Sequence, residues 1–389
     1  MARSQAVSTE DISSYLNELL EYDEHAKRVR SLANATLGVI ANASLAVHAI
    51  GQGLAHAQGL TPKHAVKQVD RLLSNQGVEV DRYFEYWVPH LVGENASVRV
   101  AMDWTEFPAD RQATLSLSLL TGHGRSMPLL WRTVPLAELE DGGRPAVEDA
   151  LLCRLYDVMP KGVAVTVIAD RWFGDCALLE LLERELGFGY VIRVRGNHWI
   201  TDAKGEARKA QDWVGPGGRA RTLRQCRLTN SHKYPVATAV CVKAKGMKQP
   251  WCLVASDAEA SAKALQDCYA QRWGIEASFR DIKDLRFGMG MASLRISKPE
   301  RRDRLLLLSA LAMVLLTVLG ATGEALGYDR MLKANTEKRR THSLFRQGLM
   351  LYDWLPRMPE KYFVPLVRAF SHNLAAHHGL AVVFNLPPK

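Results

Sequence analysis

The sequence predicts an α/β core set between helical regions, and three observations predict it. Residues 163–170, VAVTVIAD, form a β-branched, nearly uniform apolar run, as in a strand buried on both faces. Three alternating segments precede that run, as in an antiparallel meander. Helical periodicity dominates both ends of the chain. At 389 residues there is room for two or three structural units and a large core.

Residues 10–90 read as helices. Asp11 or Ser13 is placed to cap the first, and a second is expected through the Ala-rich segment 31–57. Thr61-Pro62 is an N-cap followed by Pro at the first helical position, opening a helix to about Ser74. Lys63, Lys67 and Arg71 then share one face, while Val66, Val69, Leu72 and Leu73 face inward. The pair 42–57 and 61–74, joined by a short Gly-containing turn, resembles a helix-turn-helix whose basic face would meet DNA. Helix bundles that bind nothing contain the same arrangement.

Near Ser97 the pattern changes. SVRVAMDWTEF, ATLSLSLL and SMPLLWRTV are strands, the last two separated by the turn-forming TGHGR. A helix follows at about 147–160, then the buried strand 163–170, a helix at 178–186 and the strand YVIRVRG, 190–196. Three antiparallel strands, helix, strand, helix, strand is the order of a ribonuclease H-like fold. Gly, Pro and basic residues then interrupt it over 198–250, with short alternating pieces. PWCLVAS (250–256), a helix over 269–283, an apolar helix over 302–326 and further helices to about 377 complete the chain. The expected architecture is α/β: a ribonuclease H-like catalytic core with a β-rich insertion, plus N-terminal and C-terminal helical regions. Its units are 1–90 (helical, DNA-binding), 91–197 (core, first part), 198–249 (basic β-rich insertion), 250–326 (core, second part) and 327–389 (helical, a candidate dimerisation region).

A formal charge of +9 suits a polyanionic partner, and its distribution says more. Residues 200–250 carry eleven Lys and Arg against three Asp and Glu, whereas 1–90 carry eight against ten. The basic excess is therefore one segment. None of the six cysteines forms a C-x-x-C pair, which argues against a zinc site or disulfide framework and for a reduced, cytosolic setting. No charged leader precedes an apolar segment, so no signal peptide is expected. Leu305–Ala321 is almost wholly apolar, but a spanning helix needs about 20 residues, so a buried core helix is favoured over a membrane anchor.

The stretch YAQRWGIEASFRDIK, Tyr269 to Lys283, concentrates the chemistry. On one continuous helix Tyr269, Arg272, Glu276, Arg280 and Lys283 share a face about 80° wide. A carboxylate among phosphate-binding groups is what an anionic ligand and a metal ion together require. An i,i+4 ion-pair ladder on a solvated face would look the same. Two further acids weigh against that reading. Asp103 sits mid-strand in AMDWTEF, and Asp170 ends the buried strand; each is costly there unless paired or bound to metal. Pairing of Asp103 with Arg99 or Arg171, and capping of the next turn by Asp170, are the structural alternatives.

These residues resemble a known family. Tyr269-x2-Arg272-x3-Glu276-x6-Lys283 is similar to the Y-x2-R-x3-E-x6-K signature of DDE transposases of bacterial insertion sequences, in the insertion-sequence-four family. AMDWT resembles the family's first acidic motif and ADRWFGD its second, and the 105 residues between Asp170 and Glu276 suit the family's long β insertion. The resemblance covers about residues 40–350. It implies a cut-and-paste transposase acting on double-stranded DNA, at its element's terminal inverted repeats and at target DNA. Cleavage would be metal-dependent and followed by strand transfer, through a hairpin intermediate and in a homodimeric synaptic complex. Asp103, Asp170 and Glu276 would hold two Mg²⁺ ions, with Mn²⁺ as a substitute. Tyr269, Arg272 and Lys283 would grip phosphates, Arg193 and Arg195 match DNA-contacting positions, and Trp251 matches a tryptophan that stacks on a flipped base. A sheet-packing Trp251 is the plainer alternative. A ribonuclease H-like nuclease, or a host-adopted DNA-binding derivative without transposition, is the alternative function. The implied location is the bacterial cytoplasm, at the nucleoid.

Overall fold

The computed structural model describes residues 9–20, 25–229 and 231–375. The outermost parts of the expected terminal regions lie outside the described residues. Five helices open the chain: α1 (Thr9–Leu19), α2 (Ala26–Asn42), α3 (Val47–Gln58), α4 (Pro62–Ser74) and α5 (Val80–Val92). Asp11 and Ser13 lie inside α1 rather than at its cap, because the helix already begins at Thr9. The continuous helix expected over 31–57 is two helices. Ala43 adopts the left-handed conformation, and the chain bends by 96° between α2 and α3. No Gly or Pro marks that break. It is held from outside by Leu45, whose N–H donates to Met289 O, far along the chain. Helix α4 starts as expected behind Thr61, with Pro62 at its first turn, although the Thr61 side chain makes no capping hydrogen bond.

The core follows with β1 (Ser97–Phe107), β2 (Gln112–Leu120), β3 (Ser126–Pro135), α6 (Gly143–Val158), β4 (Ala164–Ala169), α7 (Cys176–Glu180, continued by a π turn over Leu181–Glu185) and β5 (Gly189–Val194). Strands β1, β2 and β3 form an antiparallel meander, while β4 pairs parallel to β1 and β5 parallel to β4. This is the strand arrangement that the order of elements predicted. The basic segment supplies β6 (Trp199–Thr201), β7 (Ala207–Lys209), β8 (Arg221–Leu228) and β9 (Tyr234–Val242), and β10 (Trp251–Ala255) comes next. They do not fold apart. Strand β10 pairs antiparallel to β5, and the others continue outward, making one ten-stranded sheet in the order β3-β2-β1-β4-β5-β10-β9-β8-β6-β7. Trp213 is the buried centre of the added part. Its Nε1–H donates to Ile200 O at 3.0 Å, and the guanidinium groups of Arg208 and Arg221 stack on it at 4.9 and 4.8 Å. Several basic residues of the segment thus serve its own packing.

The chain closes with α8 (Ala262–Ala270), α9 (Trp273–Lys283), α10 (Pro299–Ala325), α11 (Leu344–Trp354) and α12 (Glu360–Ala375). Helix α10 contains the apolar run, and 89% of its most apolar window is buried inside the protein. It packs against α2, α4, α5, α11, α12 and β3. Gly320 and Gly348 meet where α10 crosses α11, and neither position has room for a Cβ. Each fully buried leucine there contributes about 2 kcal/mol. The arginines ahead of the run are anchors within the protein. Arg301 pairs with Asp70 of α4 at 2.5 Å, and Arg304 donates to Leu73 O and Val78 O. Arg302 is fully buried, paired with Asp110 and stacked 3.7 Å from the Phe107 ring.

Helix α9 is pinned to the β2–β3 turn. Ser278 Oγ–H donates to Ser126 O at 2.9 Å, and the Ser126 N–H donates back to Ser278 Oγ at 2.9 Å. The Arg125 guanidinium meets the Asp281 carboxylate at 2.8 Å. Removing either partner leaves a largely buried charge, so Arg125→Ala should lower unfolding free energy by about 2 kcal/mol. A double-mutant cycle with Asp281→Asn in urea should show coupling of at least half that size; additive losses would mean the pair does not hold α9.

A second prediction concerns Asp303 in α10, whose carboxylate accepts the Thr133 N–H at 3.1 Å. Burial pushes its pKa up from 3.8 to about 7, against the smaller opposing effect of the Thr133 hydrogen bonds. The native state therefore holds an extra proton between those values, and stability falls as pH rises through that window. Asp303→Asn keeps an acceptor without the charge. Its melting temperature should gain on that of the unsubstituted protein between pH 5 and 8, and a constant difference would place the ionisation elsewhere.

Candidate active site

The site begins with strand register. Met102 of β1 is level with Ala169 of the parallel β4, so Asp103 and Asp170 come one step later on neighbouring strands about 4.8 Å apart. Strand β1 runs on to Phe107 while β4 stops at Ala169, so the two acids stand at the carboxyl end of the shorter strand. In α/β sheets that end is where ligands are bound. The Trp172 N–H donates to Asp170 Oδ1 at 2.8 Å, so Asp170 also organises the turn that follows it.

Glu276 comes from α9. Tyr269 to Lys283 is not the single helix the spacing suggested: α8 ends at Ala270, Gln271 and Arg272 form a tight turn, and α9 starts at Trp273. The Arg272 N–H reaches only back to Tyr269 O, and the Ile275 N–H to Arg272 O, which tightens the turn relative to an α-helix. The shared face therefore breaks up. Tyr269 turns into the core, 3% exposed, edge-on to Trp251 at a centroid distance of 4.9 Å. Burial pushes the Tyr269 phenol up, and nearby Arg272 and Arg193 oppose that shift. Arg280 is exposed and pairs with neither Glu276 nor Asp284 among the described residues.

Arg272 sits at the centre. It is 8% exposed. Its Nη2 donates to Glu276 Oε1 at 2.7 Å and its Nη1 to Asp103 Oδ2 at 3.4 Å. Asp103 thus pairs with Arg272 rather than with Arg99, which donates to Gln271, or Arg171, which donates to Gln249. Burial pushes the Asp103 carboxyl up to about 6. Arg272 pulls it down, while Asp170 and Glu276 push it further up. Lys283 occupies the far side. Its Nζ donates to Thr105 Oγ1 at 2.8 Å, and Thr105, two residues past Asp103, lies on the same strand face. Burial and Arg302 hold the Lys283 ammonium below its usual range, while Asp103 and Glu106 oppose this.

Two clefts flank the acids. The first, about 590 Å³, is lined by Asp103 and Asp170 together with Glu106, Glu148, Asp149 and Asp175. Sequence reasoning missed the last four, because none stands in an apolar context that would mark a carboxylate as misplaced. The second, about 420 Å³, is basic, with Arg171, Arg193 and Arg195 on its walls. Arg193 donates to Pro250 O at 3.0 Å, and its Nε is buried without a partner. Tyr269 and Arg272, expected to meet DNA directly, are instead buried as packing and as a bridge between carboxylates. Trp251 is half-buried against Tyr269. Lys63, Lys67 and Arg71 are exposed along α4.

The donor set suits a hard divalent cation, since all three ligand candidates are carboxylates. In this conformation a guanidinium bridges two of them. No group of three His, Cys, Asp or Glu among the described residues is drawn together closely enough to hold a metal ion.

Residues 145–315 match the family model of the transposase DDE domain. The match contains Asp170, Arg272 and Glu276, and Asp103 lies ahead of it on the strand paired with β4. No curated protein matches the chain. The mixed sheet and its two register-matched aspartates agree with this match, which supports a transposase DDE domain over residues 145–315.

Proposed function

We propose that the chain is the transposase of a bacterial insertion sequence of the insertion-sequence-four type, acting on its element's terminal inverted repeats in the cytoplasm. The observation that supports this reading is that Asp103 and Asp170 stand side by side by strand register, with Glu276 joined to Asp103 through Arg272, near a cleft walled by arginines. Asp103, Asp170 and Glu276 would hold Mg²⁺ or Mn²⁺. Two such ions, when bound, supply an activated water or hydroxyl and stabilise the leaving oxygen in phosphodiester displacement.

The chain's own residues prepare that chemistry. The Arg272 guanidinium, which now neutralises Asp103 and Glu276, yields them and turns its donors to phosphate. Lys283, held by Thr105 on the face that carries Asp103, presents a cation to the cleaved end. Arg193 and Arg195 hold the strand on the other side, and Lys63, Lys67 and Arg71 read the duplex further away. Water cuts one strand at each end, and the freed 3′-OH attacks the opposite strand to form a hairpin. After reopening, the 3′-OH attacks target DNA. Every step is an in-line displacement at phosphorus, so one site serves throughout. Two chains bridge the two ends as a homodimer.

Asp103→Asn, Asp170→Asn and Glu276→Gln should each abolish cleavage of end DNA with binding within about twofold, in an assay containing paired ends and target DNA. Normal cleavage by any variant removes that residue from the site. Products that are only hydrolysed, without joining to target, identify a nuclease instead. For Lys283→Ala, binding should weaken and the slope of log K against log salt should fall by about one unit. An unchanged slope would confine Lys283 to its contact with Thr105.

A further inference from the structure

Behind the basic cleft lies a pair of thiols that the reaction as described does not use. Cys241 of β9 and Cys252 of β10 are direct partners across the antiparallel pair. Both are free and both are wholly buried. Directly opposed residues on such strands have Cα atoms about 4.5–5.5 Å apart and side chains on one face, within the range of about 4.4–6.8 Å that a disulfide spans. Among the described residues no other two cysteines are register partners. Cys226 of β8 is level with Val236, and its S–H donates to Val236 O at 3.8 Å.

The two thiols differ from each other. They are hydrogen-bonded, and that bond favours the protonated form of Cys241 and the ionised form of Cys252. Burial opposes ionisation of Cys252, and the charge of Arg193 favours it. A thiol biased towards its thiolate, touching one that keeps its proton, is the pairing from which a disulfide forms. Position gives the pair a consequence. The hairpin joining β9 to β10, residues 243–250, begins two residues after Cys241 and ends two before Cys252. Lys243, Lys245 and Lys248 are exposed on it. Its last residues hold the cleft wall: Gln249 Oε1 accepts from Arg171 at 2.8 Å, and Pro250 O accepts from Arg193 at 3.0 Å.

We propose that Cys241 and Cys252 form a redox-sensitive staple, closed to a disulfide by a peroxide, which fixes the hairpin on which Arg171 and Arg193 rest. Hydrogen peroxide is the co-reactant, and it reaches the sulfurs when the hairpin end of the two strands opens. The Cys252 thiolate attacks one peroxide oxygen. An S–O bond forms, the O–O bond breaks, and the departing hydroxide regains the proton that Cys252 released, leaving as water and a sulfenic acid. The Cys241 sulfur then attacks Cys252. The S–S bond forms, the S–O bond breaks, and the second hydroxide leaves as water with the Cys241 proton. Each sulfur loses one electron and the peroxide gains two. A thiol reductant reverses the change.

The full chain, without DNA or metal, is treated with hydrogen peroxide, its remaining thiols are blocked with N-ethylmaleimide, and it is cut with trypsin. Lys243 and Lys248 separate the two cysteines, so the disulfide is read as residues 234–243 joined to residues 249–263. Dithiothreitol should part them. Amide exchange in β9 and β10 of the oxidised protein should slow about tenfold, because the stapled hairpin opens less often. Cys241→Ser and Cys252→Ala should each abolish both the joined peptides and the slowing, and their exchange without peroxide reports whether the fold is kept. The proposal fails if peroxide leaves both cysteines open to the maleimide, if it joins Cys226 to either, if it oxidises the exposed Cys153 alone, or if the disulfide forms without slowing exchange. The test involves no DNA, so its failure leaves the transposase reading untouched.

Discussion

The site depends on the parallel register of β1 with β4. With Met102 level with Ala169, the next residue on each strand is an aspartate, and the two side chains emerge side by side. A slip of one residue would turn either carboxylate to the opposite face of the sheet, because side chains alternate along a strand. The register is itself well determined, since both strands are buried and apolar ahead of the acids: Val98, Val100 and Met102 on one, Val165, Val167 and Ala169 on the other. The hydrophobic pattern that builds the sheet thus also aims the chemistry. Asp170 and Glu276 both disfavour the charge on Asp103, and Arg272, paired with Asp103 and Glu276, offsets that repulsion.

Everything around the sheet steadies that end. Helix α9 carries Glu276 and is fastened to the β2–β3 turn through Ser278 and Asp281. Helix α10 is apolar along most of its length, yet its first turns carry three arginines. These reach the N-terminal helices and the loop after β1, joining the two ends of the chain across the core. A membrane span would hold such arginines at a lipid interface; here each has a protein partner. The basic segment adds four strands to the sheet beyond β10. It extends the surface beside the arginine-walled cleft, and it supplies Gln249, which holds Arg171 in place.

The charge pattern around the site is divided. Acids line one cleft and guanidinium groups the other, and the turn from Asp170 to Phe173 forms the boundary. A polyanionic strand is attracted to the basic side and is repelled by the acidic side until cations compensate the carboxylates.

Much of this was legible in the sequence, because the signals are local. The buried run ending at Asp170, the acid inside AMDWTEF and the order of strands and helices follow from periodicity and from the cost of a charge in apolar surroundings. So does the core character of the apolar helix. What the sequence did not contain were the breaks at Ala43 and at Gln271–Arg272, where no Gly or Pro stands. Nor did it contain the burial of Tyr269, or the exposure of Trp172 beside a buried Phe173. The tertiary structure decided these, because each depends on partners far apart in the chain. Leu45 is tied to Met289, and Arg272 bridges to Asp103 across 169 residues. A helical wheel places side chains relative to their own axis; only packing against other elements decides which of them meet.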